Sequence, residues 1–244
     1  MRLSYPVTGA FSTKAKMKHH FLETCQSTQS SFKDFWAQHD MSDPHLLVST
    51  QKQTAGQGRR GNSWHSAAQS LAMSFSIKAQ ELISLTPLHM ALALCEYFKT
   101  QNISLSLKWP NDILNQQGEK IGGILCQVLD QNFVLVGIGL NLYFDQSDFC
   151  ALKELSYPIS HLNLKTADKK EMAESLYDYI IQCEDFSADK WNKHCFHLNK
   201  NVEIIDGDQR IKGLFNGIDK LGAAIIQTHD STIKVYTGSL RITG

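Results

Sequence analysis

From Gln53 to Trp64 the chain reads Gln-Thr-Ala-Gly-Gln-Gly-Arg-Arg-Gly-Asn-Ser-Trp. Gly56, Gly58 and Gly61 let the backbone turn tightly and approach a ligand closely. Arg59 and Arg60 carry fork-shaped donors that match phosphate or carboxylate oxygens. Trp64 adds a flat face for a base. Together they read as an anion-binding loop suited to a nucleotide. The spacing also fits Gly-x-Gly-x-x-Gly, but a dinucleotide site needs a helix opening from the loop, and no helix signal follows Gly61. Glu81 stands at the distance of the ribose acid, where chance easily supplies one. A kinase loop fits no better, since His-Arg-Asp and Asp-Phe-Gly are absent. Alone, the glycine pattern is better read as a solvated basic turn.

Three further motifs change that reading. Lys108-Trp109-Pro110-Asn111-Asp112 closes a strand, and Pro110 fixes a turn that leaves Asn111 and Asp112 at the strand end. Lys120-Ile121-Gly122-Gly123-Ile124-Leu125 opens another strand with two glycines. Glycine there costs stability unless something approaches closely, such as a ligand carbonyl or phosphate. Gly137-Ile138-Gly139-Leu140-Asn141 ends the next strand. Each alone has a plainer reading: a Pro-Asn-Asp turn, a β-bulge beside an exposed lysine, an asparagine capping an exit turn. If Ile121–Leu129 and Phe133–Leu140 form a hairpin over Asp130-Gln131-Asn132, Lys120 and Asn141 come to one end of the sheet, facing the arginine loop. Arg59, Lys120 and Asn141 would then converge on one pocket. His194-x-x-His197 lacks further ligands at useful spacing and reads as surface or core histidines, with no metal site.

The elements that position these groups follow from periodicity. The first twenty residues have no clear period and read as a loose arm or an added edge segment. Ser27 or Thr28 caps a helix from Gln29 to His39, with Phe32, Phe35 and Trp36 at helical spacing. Leu46 to Thr50 is a short buried strand, Lys52 to Ser66 a loop, and Leu71 to Ile77 a half-buried strand. Thr86-Pro87 opens a helix, with Thr as the cap and Leu88, Ala91, Leu92 and Cys95 on one face. Leu105 to Trp109 is a strand that Pro110 stops. Asp168 and Glu171 form a capping box for a helix to about Cys183, and a second helix covers Ala188 to His197. Beyond Lys200 short strands (Val202–Ile205, Ile211–Phe215, Ala223–Gln227, Thr232–Tyr236) alternate with turns at Asp206-Gly207-Asp208 and Asp219 to Gly222, the texture of a small barrel. The expected organisation is one domain over residues 1–200 and another over 201–244.

A hydrophobic content of 42% and a charged content of 20% describe a globular chain and exclude disorder. A formal net charge of zero argues against nucleic-acid binding driven by overall charge. The six cysteines, Cys25, Cys95, Cys126, Cys150, Cys183 and Cys195, include no Cys-x-x-Cys pair and suit reduced thiols in a cytoplasm. No signal peptide or apolar run long enough for a bilayer is visible. A soluble cytoplasmic protein without membrane or nucleic-acid partners is expected.

The four motifs in this order resemble the biotin–protein ligase family: Gly-x-Gly-Arg-x-Gly-x-x-Trp, Lys-Trp-Pro-Asn-Asp, Lys-x-x-Gly-Ile-Leu and Gly-x-Gly-x-Asn, with Ser27-Thr28 where the family shows Ser-Thr-Asn. The resemblance runs from about His20 to the C-terminus. It implies an α+β fold, a mixed sheet flanked by helices (a class II synthetase-like catalytic domain) followed by an SH3-like barrel. It implies activation of biotin with ATP and Mg²⁺ to biotinyl-5'-AMP, then transfer to a lysine of a biotin carboxyl carrier protein, by a monomer or homodimer. By resemblance Ser27, Thr28, Gln29, Gln53, Gly56, Gln57, Gly58, Arg59, Arg60, Lys120 and Gly123 bind biotin and the adenylate. Trp64, Asn111, Asn141 and Gly139 lie near the nucleotide. Lys120 and Arg59 stabilise charge on the phosphoryl oxygens, and Asp112 either accepts the carrier lysine's proton or helps position magnesium. The chain departs from the family at Gln57 and Asn62, where relatives carry arginine, and at Gln29, where asparagine is usual. One residue more than in some relatives separates Asn111-Asp112 from Lys120. Too few residues precede Ser27 for the winged helix of repressor members, so a ligase without repressor function is expected. The alternatives are a lipoate–protein ligase and a noncatalytic nucleotide- or nucleic-acid-binding module.

Overall fold

A computed structural model describes residues 17–39, 45–64, 69–79, 83–145, 148, 157–183 and 186–243. In chain order the elements are β1 (Lys18–Cys25), α1 (Thr28–Trp36), β2 (Leu46–Gln53), β3 (Gly56–Gln57), β4 (Ser63–Trp64), β5 (Gln69–Lys78), α2 (Thr86–Thr100), β6 (Ser106–Lys108), β7 (Asp112–Leu114), β8 (Lys120–Val128) and β9 (Phe133–Tyr143). There follow α3 (Lys169–Ile180), α4 (Ala188–His194), β10 (Asn201–Asp206), β11 (Gln209–Ile218), β12 (Ala224–Gln227), β13 (Thr232–Val235) and β14 (Ser239–Ile242). Seven strands make one mixed sheet in the order β1-β2-β5-β9-β8-β7-β6, with β1 parallel to β2. The chain is thus α+β, a mixed sheet flanked by helices. Its last five strands form an antiparallel sheet, β13-β12-β11-β10-β14.

Strand alternation divides the core between two faces. Leu46, Val48 and Leu135 pack with Phe32 of α1 on one face. Leu47, Leu71, Met73, Phe75, Val136, Ile138 and Leu140 pack on the other, beneath α2 and α3. That second cluster continues through Trp191 of α4 into Val202, Phe215 and Ile226 of the C-terminal sheet, so apolar packing joins the two sheets.

Several expected details change. The hairpin β8–β9 forms over Asp130, as its turn residues predict; Asp130 Oδ1 accepts from the amides of Asn132 and Phe133. Asp168 caps α3 through the amides of Lys170 and Glu171, and the helix ends at Ile180, before Cys183. Thr86 is not a cap: a 3-10 turn at Ile83–Leu85 runs directly into α2, which leaves the Thr86 hydroxyl buried without a partner. Ser27 precedes α1 in extended conformation but makes no side-chain cap bond, and α1 stops at Trp36. Pro110 does not merely stop a strand. With a cis Trp109–Pro110 bond it turns β6 back as β7, and Lys108 faces Asp112. The arginine loop is itself a small hairpin, β3 on β4, around a 3-10 turn at Arg59–Gly61. α4 ends at His194 because Cys195 takes an extended conformation and pairs with Leu107. The expected positions of Glu81, Cys150 and the loop end at Ser66 lie outside the described residues.

His197 sits fully buried where the two sheets meet, its ring 4.2 Å from that of Phe215 and Nδ1 3.5 Å from Cys195 Sγ. Burial, and then Lys108 and Lys200, lower its pKa to about 3. The unfolded ring takes a proton near 6.5, so below that pH the unfolded state binds a proton that the folded state refuses. Stability is therefore present above pH 6.5 and is lost as pH falls toward 3, at up to about 1.4 kcal/mol per pH unit. In urea unfolding, His197→Leu is expected to flatten the stability slope below pH 6.5 relative to wild type; equal slopes would place the ring outside the core.

Candidate active site

The α1 face of β9 carries Leu135, then Gly137 and Gly139. The two glycines leave the sheet backbone bare, and neighbouring side chains lie directly on it. A Cβ on Gly137 would stand 2.6 Å from Gln29 Nε2, and one on Gly139 2.9 Å from the Trp64 indole. Contacts so short exclude any side chain there unless these groups move. The space between is a cavity of about 590 Å³.

Most residues expected at the site line this cavity: Ser27, Thr28, Gln29, Gln53, Gln57, Gly58, Arg59, Trp64, Asn111, Asp112, Lys120, Gly123 and Gly139. Three do not. Gly56 pairs with Trp64 in the β3–β4 ladder, where a Cβ would meet Gln53 Nε2 at 2.5 Å; it supports the wall. Arg60 turns outward in a left-handed conformation (φ 56°) and binds Asp206 of β10 at 2.5 Å. Asn141 is buried: its Nδ2 donates to the Ser160 carbonyl at 3.1 Å, and Ser70 Oγ lies 3.5 Å from its Oδ1. The expected convergence of Arg59, Lys120 and Asn141 is corrected to Arg59 and Lys120. Asn141 holds the 157–162 segment, which also bridges to Lys120 through Ile159 and carries Tyr157 to the cavity.

One end of the cavity is neutral and polar. Thr28 Oγ1 and Ser74 Oγ are 2.8 Å apart, and Gln53 Oε1 accepts from the Thr28 amide at 2.9 Å. Gln29 Nε2 donates to the Leu125 carbonyl at 2.8 Å, while its buried Oε1 has no partner. The other end is charged. Lys120 Nζ is 2.6 Å from Asp112 Oδ1 and lies 5.8 Å and 5.4 Å from the ring centres of Trp64 and Tyr157. Burial pushes the Asp112 carboxyl up, but Lys120 and Lys108 outweigh it and hold the group below the usual carboxylate range. Arg59 Nη1 donates to Asn111 Oδ1 at 3.3 Å and to the Gly238 carbonyl at 3.2 Å. Asn111 is itself fixed, its Nδ2 donating to the Ile124 carbonyl at 2.8 Å.

Sequence reasoning missed Asn62, Ser63, Tyr157, Ser239 and Arg241, all at the cavity wall. Ser239 and Arg241 belong to β14, a strand that the sequence reading overlooked. The alternation in Ser-Leu-Arg-Ile after Gly238 was the available signal.

The chain belongs to the Biotin/lipoate A/B protein ligase family, which it matches over residues 21–142; residues 197–239 match the Biotin protein ligase C terminal domain. Among curated relatives, it is similar to the "Bifunctional ligase/repressor BirA" of Bacillus subtilis, 27% identical over 218 residues, which cover 80% of this chain and 66% of that protein. It is 24% identical over 212 residues to the "Biotin--[acetyl-CoA-carboxylase] ligase" of Mycobacterium tuberculosis, covering 80% of this chain and 78% of the relative. Among solved structures, "Biotin protein ligase from Aquifex aeolicus in complex with biotin and ATP" superposes with a TM-score of 0.76 at 25% identity, over 92% of this chain and 99% of that one. The chain thus spans slightly less than two thirds of the Bacillus protein.

The arginine loop is tied to the C-terminal sheet at Asp206, which Thr237 also binds. Asp206→Ala is expected to free the loop and speed tryptic cleavage after Arg59 or Arg60 in the unliganded protein, a few-fold over wild type by mass-mapped limited proteolysis. Unchanged cleavage would show that the tie does not hold the loop.

Proposed function

We propose that this chain is an ATP-dependent, AMP-forming biotin–protein ligase. It forms biotinyl-5'-AMP and transfers the biotinyl group to a lysine of a biotin carboxyl carrier protein, such as an acetyl-CoA carboxylase subunit. The observation that carries the reading is one cavity with a neutral polar end and a cationic end, built by the family's motifs. At the neutral end the Gln29, Thr28 and Gln53 side chains offer amide and hydroxyl groups that suit a ureido ring, which has both N–H donors and a carbonyl. A dithiolane ring has neither and would gain no hydrogen bond from these groups, which favours biotin over lipoate.

In the first step a carboxylate oxygen of biotin attacks the α-phosphorus of ATP and pyrophosphate leaves. Negative charge gathers on the phosphoryl oxygens, where Arg59 and Lys120 offer cationic donors in a partly enclosed site. In the second, the carrier's lysine nitrogen attacks the acyl carbon and AMP leaves; Lys120 polarises the acyl oxygen. Trp64 and Asn111 serve the nucleotide end, Asn111 by holding Arg59. Asp112 is the single carboxylate among the lining residues, and both its oxygens are held by lysines. One engaged carboxylate does not make a metal cage, and magnesium enters no step here. Residues 1–200 are read as the catalytic domain and 201–244 as an SH3-like barrel that supplies Ser239 and Arg241. Among the described residues no helix is long and apolar enough to cross a membrane, and we place the enzyme in the cytoplasm.

Incubation with ATP, magnesium and labelled biotin or lipoate, without carrier, tests this reading. Labelled adenylate is expected from biotin; adenylate from lipoate and none from biotin would refute it. Lys120→Ala is expected to slow adenylate formation by roughly a hundredfold or more in single turnover. Arg59→Ala is expected to let the adenylate escape and label bystander proteins, and undiminished retention would count against the loop's part in holding it.

A further inference from the structure

Asp112 is gripped from both sides. Lys108 Nζ lies 3.3 Å from Oδ2 and Lys120 Nζ 2.6 Å from Oδ1. The grip follows from topology: Lys108 faces Asp112 across the β6–β7 hairpin, and Asp112 pairs with Gly123 of β8, whose first residue is Lys120. The two lysines are not equivalent. Lys120 lines the cavity, with the Trp64 and Tyr157 rings beside its ammonium, whereas Lys108 is not among the lining residues. The third nearby cation, Arg59, is committed to Asn111 and the Gly238 carbonyl.

A lysine that serves a reacting oxygen must let go of the carboxylate that holds it at rest. A buried carboxylate stripped of its only cation opposes that release strongly. We propose that Lys108 is a positioning residue: by keeping Oδ2 of Asp112 it allows Lys120 to leave Oδ1 for the reacting phosphoryl or acyl oxygen. This rests on the ligase reading, in which Lys120 acts on those oxygens. Lys108 touches neither substrate, so its effect falls on the chemical step and not on binding. A guanidinium can replace its ammonium, because only a cation at Oδ2 is required.

The test is single-turnover formation of biotinyl-5'-AMP from biotin and ATP. Lys108→Met is expected to lower the rate at saturation about tenfold or more, while the KM values for biotin and ATP change less than about twofold. Lys108→Arg is expected to restore most of the rate. In the Asp112→Asn background, where no carboxylate needs holding, Lys108→Met is expected to cost little further. A wild-type rate in Lys108→Met would overturn the proposal. So would a loss that persists undiminished in the Asp112→Asn background, or one that Lys108→Arg fails to rescue. Should the wild-type chain form no adenylate from biotin, the ligase reading falls and this inference with it; failure of the variants alone removes only Lys108.

Discussion

The cavity exists because one face of one strand lacks side chains. Along β9, Val136, Ile138 and Leu140 fill the face beneath α2 and α3, and Leu135 lies on the apolar face toward α1. Gly137 and Gly139 then interrupt that second face, and Gln29 and Trp64 approach the backbone more closely than any Cβ would allow. The strand is buried on one side and bare at these two glycines on the other, so it is a core element and the floor of a cavity at once. The glycines sacrifice apolar contact that larger residues would have made. Gly122, next in the ladder, answers a different need: a Cβ there would meet Leu140 Cδ2 at 2.5 Å and the Gly139 carbonyl at 2.6 Å. Packing explains it without appeal to a ligand.

Much of the cavity's lining was legible in the sequence because glycines and prolines are unusual in strands and signal themselves. The β8–β9 hairpin could be read from its turn and alternation, and the arginine loop from its glycines. Tertiary facts were not legible. Nothing in the types or spacing of Arg59 and Arg60 says that one turns inward and the other outward; the left-handed backbone at Arg60 decides it. Asn141 occupied the right strand end, yet its amide is spent on the Ser160 carbonyl. Arg241 reaches the cavity only because β14 pairs with β10, a contact between segments that no local pattern announces. Boundaries shifted where a neighbouring element competed, as at Thr86, whose capping role the preceding 3-10 turn removes.

The two adjacent arginines are held in different ways. Arg59 is oriented by neutral oxygens, Asn111 Oδ1 and the Gly238 carbonyl, with Asp112 and Asp206 near enough to act on its charge. Arg60 takes the carboxylate, Asp206, at the exposed surface, where an ion pair adds little stability but anchors a loop. The C-terminal sheet therefore acts on the cavity in two ways, through Ser239 and Arg241 at its wall and through Asp206 and Gly238 as the frame of the loop. The apolar core runs from the large sheet into this small one through Trp191 and Phe215, so packing as well as the loop contacts joins them. Cutting the chain at Lys200 would remove part of the cavity wall and the loop's anchor together. The two sheets thus form one working unit, even if they are counted as two domains.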